Sequence, residues 1–271
     1  MRSVYDIREP LDEGQQRLAA FDRLEVDNRD AHSFFRLNYL DRMNRVIALV
    51  RRAYPAPAGV KVGDFAAAQG NVGLLLAEAG YKVYSFDINP SFLAYSRMKY
   101  ERGDIEWLAG NIETVAFPPG SLDVAVAGEI VEHCAYPEDI LAKVLGFVKP
   151  GGILIVTTPN GSRVLNRLPT FRQVAGKDER KAFVARQFRP AGEDHLFLFR
   201  LEELPMIVPP GSEIVEQGYL GGTVLYNAID QTLFRLLPAD LVGRLIRLSA
   251  AVPLVNRLTC QNIYAVVRKN E

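Results

Sequence analysis

Apolar positions change their spacing twice along this chain. From residue 11 to 53 they recur at helical intervals, with Phe34, Phe35, Leu37, Leu40, Met43, Val46, Ile47 and Val50 separated by arginines. The run Tyr54-Pro55-Ala56-Pro57-Ala58-Gly59 stops that helical segment. From Val60 the pattern becomes short apolar runs alternating with helical stretches. Strands are predicted at 60–65, 82–86, 105–108, 123–127 and 153–157. Helices are predicted at 72–79, closed by Gly80, from Asn89-Pro90-Ser91 onward, and at 137–148. Short β-rich runs alternating with helices predict an α/β, doubly wound, mostly parallel sheet covered on both faces.

The rhythm breaks over about 161–194, a long basic stretch that reads as a lid insertion. A helix near Leu201–Ile207, a strand near Glu213–Gly218, an amphipathic helical stretch over 231–258 and a closing strand at 262–268 follow. The expected organisation is an N-terminal helical segment, 1–58, and one domain, 59–271, that contains the lid. The stretch 232–258 reads as a cap on the sheet. Its interspersed arginines leave a membrane surface or a dimer face as alternatives.

Bulk properties narrow the function classes. The 271 residues are 48% hydrophobic, enough for one sizeable core, and Lys+Arg and Asp+Glu both number 32. A formal charge of zero gives no global attraction to nucleic acid or to an acidic membrane. The first residues lack an apolar secretory core, and no run approaches 18 apolar residues, so no transmembrane segment is expected. Two cysteines, Cys134 and Cys260, form no CxxC pattern, which points to a reducing, cytoplasmic setting.

In an open α/β sheet, ligands bind beyond the carboxyl ends of the strands. The first strand ends in Ala66-Ala67-Ala68-Gln69-Gly70, a turn of almost only small side chains. Small residues let a ligand approach the backbone, and Gly70 can adopt a positive φ. Asp87 ends the second strand, where a carboxylate can accept two hydrogen bonds from a ribose diol. A nicotinamide enzyme would need a GxGxxG, which is absent.

These residues resemble the class I S-adenosylmethionine-dependent methyltransferase family over roughly Val60 to Asn160. Asp64 and Gly70 match the first and last positions of the family's glycine motif, and alanines stand where its first two glycines would be. Asp87 matches the ribose-binding acid, and Gly110-Asn111-Ile112 matches the segment that meets adenine, with Asn for the usual Asp. Lys149-Pro150-Gly151-Gly152 resembles the tight turn before the fifth strand. The resemblance implies a seven-stranded sheet and a cofactor site of Asp64, Ala66, Ala68, Gly70, Asp87, Ile88, Asn111, Ile112 and Glu129 around S-adenosyl-L-methionine.

The fourth strand then delivers Gly128-Glu129-Ile130-Val131-Glu132-His133-Cys134 to the same edge. Glu129, Glu132 and His133 fall at i, i+3 and i+4, one side of a helical turn. The expected catalytic residues are His133, Glu129 and His195, with a histidine as general base. The alternative is a divalent cation, Mg or Mn, on Glu129, Glu132, His133 and His195. The E-x-x-E-H pattern resembles ubiquinone-biosynthesis O-methyltransferases and, with Cys134 in place of a second histidine, metal-dependent small-RNA 2′-O-methyltransferases. Asn160 is a candidate substrate contact. The basic lid residues are candidates for an anionic group, or for a solvated face. The expected reaction is methyl transfer to a hydroxyl of a small, lipid-linked or glycan acceptor. RNA methylation and a non-catalytic cofactor-binding module are the alternatives.

Overall fold

The structure is a computed structural model that describes residues 1–164, 166–187, 195–223 and 235–271. Seven strands form one sheet: β1 (Lys61–Phe65), β2 (Lys82–Asp87), β3 (Asp104–Ala109), β4 (Leu122–Gly128), β5 (Val148–Pro159), β6 (Ser212–Thr223) and β7 (Cys260–Lys269). Their order is β3-β2-β1-β4-β5-β7-β6. The first five pair in parallel, and β7 runs antiparallel to both β5 and β6. This is the expected doubly wound sheet. The order reverses between β1 and β4, so a crevice opens at their carboxyl ends.

Alternation along the strands builds the two core layers. On β4, Ala125 and Ala127 face one cluster, which includes Phe65, Phe86 and Phe147, and a register shift between Leu122 and Val124 brings Leu122 to the same side. Val124 and Val126 face the other, with Val46, Val50 and Leu76. Phe65 stacks on Phe86 with ring centres 4.5 Å apart, which fixes adjacent ends of β1 and β2. The helices covering the faces are α3 (Asn71–Glu78), α4 (Pro90–Lys99) and α5 (Pro137–Phe147), with α6 (Lys177–Val184) beyond them in the chain.

The N-terminal segment is two helices, α1 (Glu13–Leu24) and α2 (Phe34–Ala53), where the periodicity predicts one continuous helical stretch. Short polar side chains in between capture the backbone. Asn28 Oδ1 accepts from the Asp30 N–H and Asp30 Oδ1 from the His32 N–H, both at 2.9 Å, and Ser33 caps α2. A buried polar cluster fastens α1 to the sheet domain. Lys99 lies 2.5 Å from Asp22, and both are fully buried. Tyr95 and Asn71 also donate to Asp22, at 2.7 and 2.9 Å, and Asn71 bonds the Tyr39 hydroxyl of α2. Burial lowers the Lys99 pKa, and Asp22 opposes that shift.

The C-terminal amphipathic stretch contains α7 (Ala239–Ala251) and α8 (Val255–Thr259); its residues 231–234 lie outside the described ones. Val242 and Ile246 of α7 are buried with Phe34, as a cap requires. Leu241, Leu245, Leu248 and Val252, at helical spacing, are exposed. No described helix is long and apolar enough to cross a membrane.

Candidate functional site

A cavity of about 540 Å³ lies at the carboxyl ends of β1, β2 and β4. Its floor at one end is the turn after β1. Ala66 and Ala68 both hold left-handed backbone, with φ of 57° and 46°. Such geometry costs an alanine roughly 1–2 kcal/mol, which is why glycine suits these positions. Both alanines line the cavity, but Gly70 and Asp64 do not. Gly70, at φ 74°, faces α4: a Cβ there would collide with the Ser96 hydroxyl. Asp64 points under the turn, where it accepts from the Gly73 N–H at 3.0 Å. Burial, reinforced by Asp87 and opposed by that N–H, pushes its carboxyl up to about 7. These two residues, expected as cofactor contacts, shape the turn from behind and do not line the cavity.

Asp87 does line the cavity and is nearly buried. Its two oxygens each take one backbone N–H, from Ala68 and from Asn89, both at 2.9 Å. The carboxylate therefore keeps acceptor capacity for a ligand hydroxyl. Burial raises its pKa, opposed by those N–H groups and that of Ile88. Ile88, Asn111 and Ile112 also line the cavity. The Asn111 oxygen already accepts from the Glu113 N–H at 2.9 Å, so one acceptor site on it remains.

The far end is built after β4. Glu129 adopts φ 53°, a strained conformation for a side-chain-bearing residue. Its Oε2 is held by Arg42 at 3.0 Å and by Asn262 at 2.7 Å, and its buried Oε1 has no hydrogen-bond partner. Glu132 is fully buried, with Oε2 accepting from the Thr158 hydroxyl at 2.9 Å and Oε1 unpartnered. Burial and the neighbouring Glu129 push its pKa well up. His133 and His195 meet edge to face at 4.9 Å between ring centres, and both line the cavity. His195 Nε2 lies 4.0 Å from Glu132 Oε1. Burial holds His195 below its usual pKa, opposed by Glu129, so its ring is neutral at pH 7. Ligand atoms of Glu132, His133 and His195 all lie within 4.8 Å of one another. Glu129 stands outside that trio.

Asn160 is absent from this cavity. Its Nδ2 donates to the Arg257 and Cys260 carbonyls, at 2.9 and 3.0 Å, and its Oδ1 accepts from the Ser162 N–H. It is a turn residue that ties β5 to the start of β7, and the expected substrate contact is not seen. The lid stretch is only partly described, since 188–194 lie outside the described residues. Within it Arg180 is buried, forms paired 2.8 Å bonds with Glu138 and lies over Tyr136 and Phe171. That arginine fastens the segment to α5 rather than facing a ligand.

Several lining residues come from the N-terminal helices: Arg17, Phe21, Glu25 and Arg42. Glu25 accepts from Gln69 at 2.7 Å, and burial pushes its carboxyl up to about 7. One sequence signal marks Arg42. It sits three residues after Tyr39 and four before Val46, on the core face of α2, where a cation needs a buried partner.

Comparison with known proteins agrees with this geometry. Residues 63–156 match the family described as a methyltransferase domain. Over those residues the chain is similar to methyltransferase domains, in keeping with the resemblance to S-adenosylmethionine-dependent methyltransferases. A demethylmenaquinone methyltransferase of Renibacterium salmoninarum is 32% identical over 108 residues, 40% of this chain and 45% of that protein. A ubiquinone biosynthesis O-methyltransferase of Xanthomonas euvesicatoria is 30% identical over 115 residues, 41% and 46% of the two chains. The chain thus spans about half the length of the curated relatives it matches. Among solved structures, the [4+2]-cyclase SpnF superposes with a TM-score of 0.52 at 17% identity, over 84% of this chain and 80% of that one. That likeness concerns the fold alone, since a cyclase is named for a different reaction.

Proposed function

We propose that this chain transfers a methyl group from S-adenosylmethionine to a hydroxyl of a small, lipid-linked or glycan acceptor. One observation carries the reading. A single cavity joins the Ala66–Ala68 turn and Asp87 at one end to Glu129, His133 and His195 at the other. The cofactor, when bound, supplies a methyl group activated on a sulfonium. Asp87 would hold its ribose, Asn111 and Ile112 would flank its adenine, and Ala66 and Ala68 would underlie its methionine part. The acidic side chains Glu25 and Glu129 suit the positive charge of the sulfonium and amino groups. The neutral His195 would take the acceptor's proton, and Arg42 and Asn262 would keep Glu129 oriented.

A second reading rests on the unpartnered Glu132 Oε1 facing two imidazoles. Those three residues could hold a divalent cation, whose chemistry would be to acidify the acceptor hydroxyl. Two imidazoles with one carboxylate suit Mn better than Mg. Of the acceptor classes, the lipid-linked one draws support from the exposed Leu241, Leu245, Leu248 and Val252 stripe.

Calorimetric titration with S-adenosylmethionine and S-adenosylhomocysteine, paired with labelled-methyl transfer to a panel of catechols, quinols and glycans, tests the proposal. Binding with turnover on a hydroxyl supports it. Binding of both without turnover on any acceptor would leave a non-catalytic module, and no binding would sink the cofactor assignment. Turnover that survives chelator and is not raised by Mn or Mg removes the cation reading.

A further inference from the structure

A second cavity, of about 480 Å³, shares no lining residue with the first. Three arginines line it, Arg163, Arg200 and Arg257, and no carboxylate does so among the described residues. Its frame is held by local hydrogen bonds. Asn160 ties residues 160–162 to the Arg257 and Cys260 carbonyls, and the Val164 N–H donates to the Leu258 carbonyl at 3.2 Å. A Cβ on Gly161 would already press on Phe199 at 3.1 Å, so the loop lies against the following segment.

Three donor atoms beside this cavity lack an acceptor. Arg163 Nε, Arg200 Nε and Ser162 Oγ are each buried from solvent without a hydrogen-bond partner. Burial lowers the Arg163 pKa, and no acid among the described residues offsets that. Arg257 pairs with Glu202, at 3.2 Å across an exposed edge. The partly desolvated Arg163 and the unfilled donors cost free energy that an entering acceptor would offset. The missing chemistry is therefore an oxyanion with several acceptor atoms.

We propose that this cavity is an anion site that takes a phosphoryl group. Guanidinium forks match phosphate geometry, and two or three of them balance a dianion where one would suffice for a carboxylate. The volume exceeds what the phosphoryl group alone needs. The apolar wall of Leu168, Leu254 and Leu258 suits an attached organic part. Leu254 is 68% exposed at the rim, so that part can be a soluble ester or the body of a phospholipid whose headgroup enters the pocket.

The test is equilibrium titration of the full chain at low ionic strength with inorganic phosphate and glycerol 3-phosphate. A parallel arm uses vesicles of phosphatidylcholine with and without phosphatidic acid. Saturable binding is expected, weakened about tenfold or more by Arg163→Gln and more mildly by Ser162→Ala. Arg102→Gln, an exposed site outside the cavity, is expected to bind as the parent does. Binding of the soluble probes alone assigns a soluble phosphate ester. Vesicle binding that needs phosphatidic acid, Arg163 and Leu254 (lost in Leu254→Ser) assigns a lipid headgroup. If Arg163→Gln fails to fold by circular dichroism, Arg257→Gln and Ser162→Ala carry the test. No binding of any probe overturns the proposal. So does binding that these variants leave intact, or that Arg102→Gln weakens equally.

Discussion

The two ends of the cofactor cavity are built on opposite principles. At the Asp87 end the ligand-facing carboxylate is already paired with backbone N–H groups, and its neighbours are held by local hydrogen bonds. At the Glu129 end two carboxylate oxygens are buried without partners and two imidazoles press together. A preorganised end suits binding, since little has to change when a ligand arrives. An end with unfilled acceptors and a neutral base suits chemistry, where charge develops only as the reaction proceeds. On the proposed function, affinity and turnover should therefore respond to different residues.

That separation is most exposed to failure at His195. His195→Ala is expected to lower kcat by on the order of 10²-fold or more, as loss of a general base does, while the S-adenosylmethionine Kd stays within about twofold. Equal losses in both would mean that the two ends act as one. Asp87→Ala should do the reverse. It removes the ribose acceptor and leaves the Ala68 and Asn89 N–H groups unpaired, costing about 2 kcal/mol of cofactor affinity, roughly thirtyfold. Calorimetry showing an unchanged Kd would remove Asp87 from the site.

A further effect links both ends to pH. Glu25 and Asp64 are pushed up to about 7, and Asp87 and Glu132 are raised as well. A carboxyl whose folded pKa exceeds its unfolded value binds more protons when folded. Its contribution is therefore lost as pH rises from about 4 toward 7. His195, lowered by burial, works in the opposite sense but is one group against four. The chain without ligand should therefore melt several degrees lower at pH 8 than at pH 5, a difference on the order of a few kcal/mol set mainly by Glu25 and Asp64. S-adenosylmethionine, a cation, should raise Tm more at pH 8 than at pH 5. A Tm that rises toward pH 8 in the free chain would contradict the burial of these groups.

The same contrast governs what was legible in the sequence. The Asp87 end lies within one strand–turn–helix–strand unit, residues 61–87, so periodicity and the family pattern both reach it. They could not separate Ala66 and Ala68, which face the cavity, from Asp64 and Gly70, which stand behind it. That distinction depends on the packing of α3 and α4. The Glu129 end draws on Arg42, Glu129, His195 and Asn262, brought together by the sheet order. Local spacing grouped Glu129 with Glu132 and His133, but Arg42 and Asn262 claim Glu129 and leave His195 to complete the trio. The break between α1 and α2 was written in Asn28 and Asp30, and helical periodicity overrode it.

The smallest predicted effect is the most discriminating test of the preorganised end. Replacing Ala66 or Ala68 by glycine relieves roughly 1–2 kcal/mol of left-handed strain. Against that stand the larger entropy lost by glycine, about 0.5–1 kcal/mol, and the burial of one methyl, up to about 0.8 kcal/mol. The methyls are not idle. Ala66 packs against the main core, and Ala68 against Val4, Leu18 and Tyr95, the contact that closes α1 over the turn. Each glycine variant should therefore stay within about 1 kcal/mol of the parent in stability, with Ala68→Gly the less favourable of the two. Cofactor affinity should move by less than about threefold, because the backbone N–H of residue 68 still reaches Asp87. A tenfold gain in affinity for Ala66→Gly would show instead that its methyl obstructs the ligand, and that this end of the cavity is not preorganised for the cofactor.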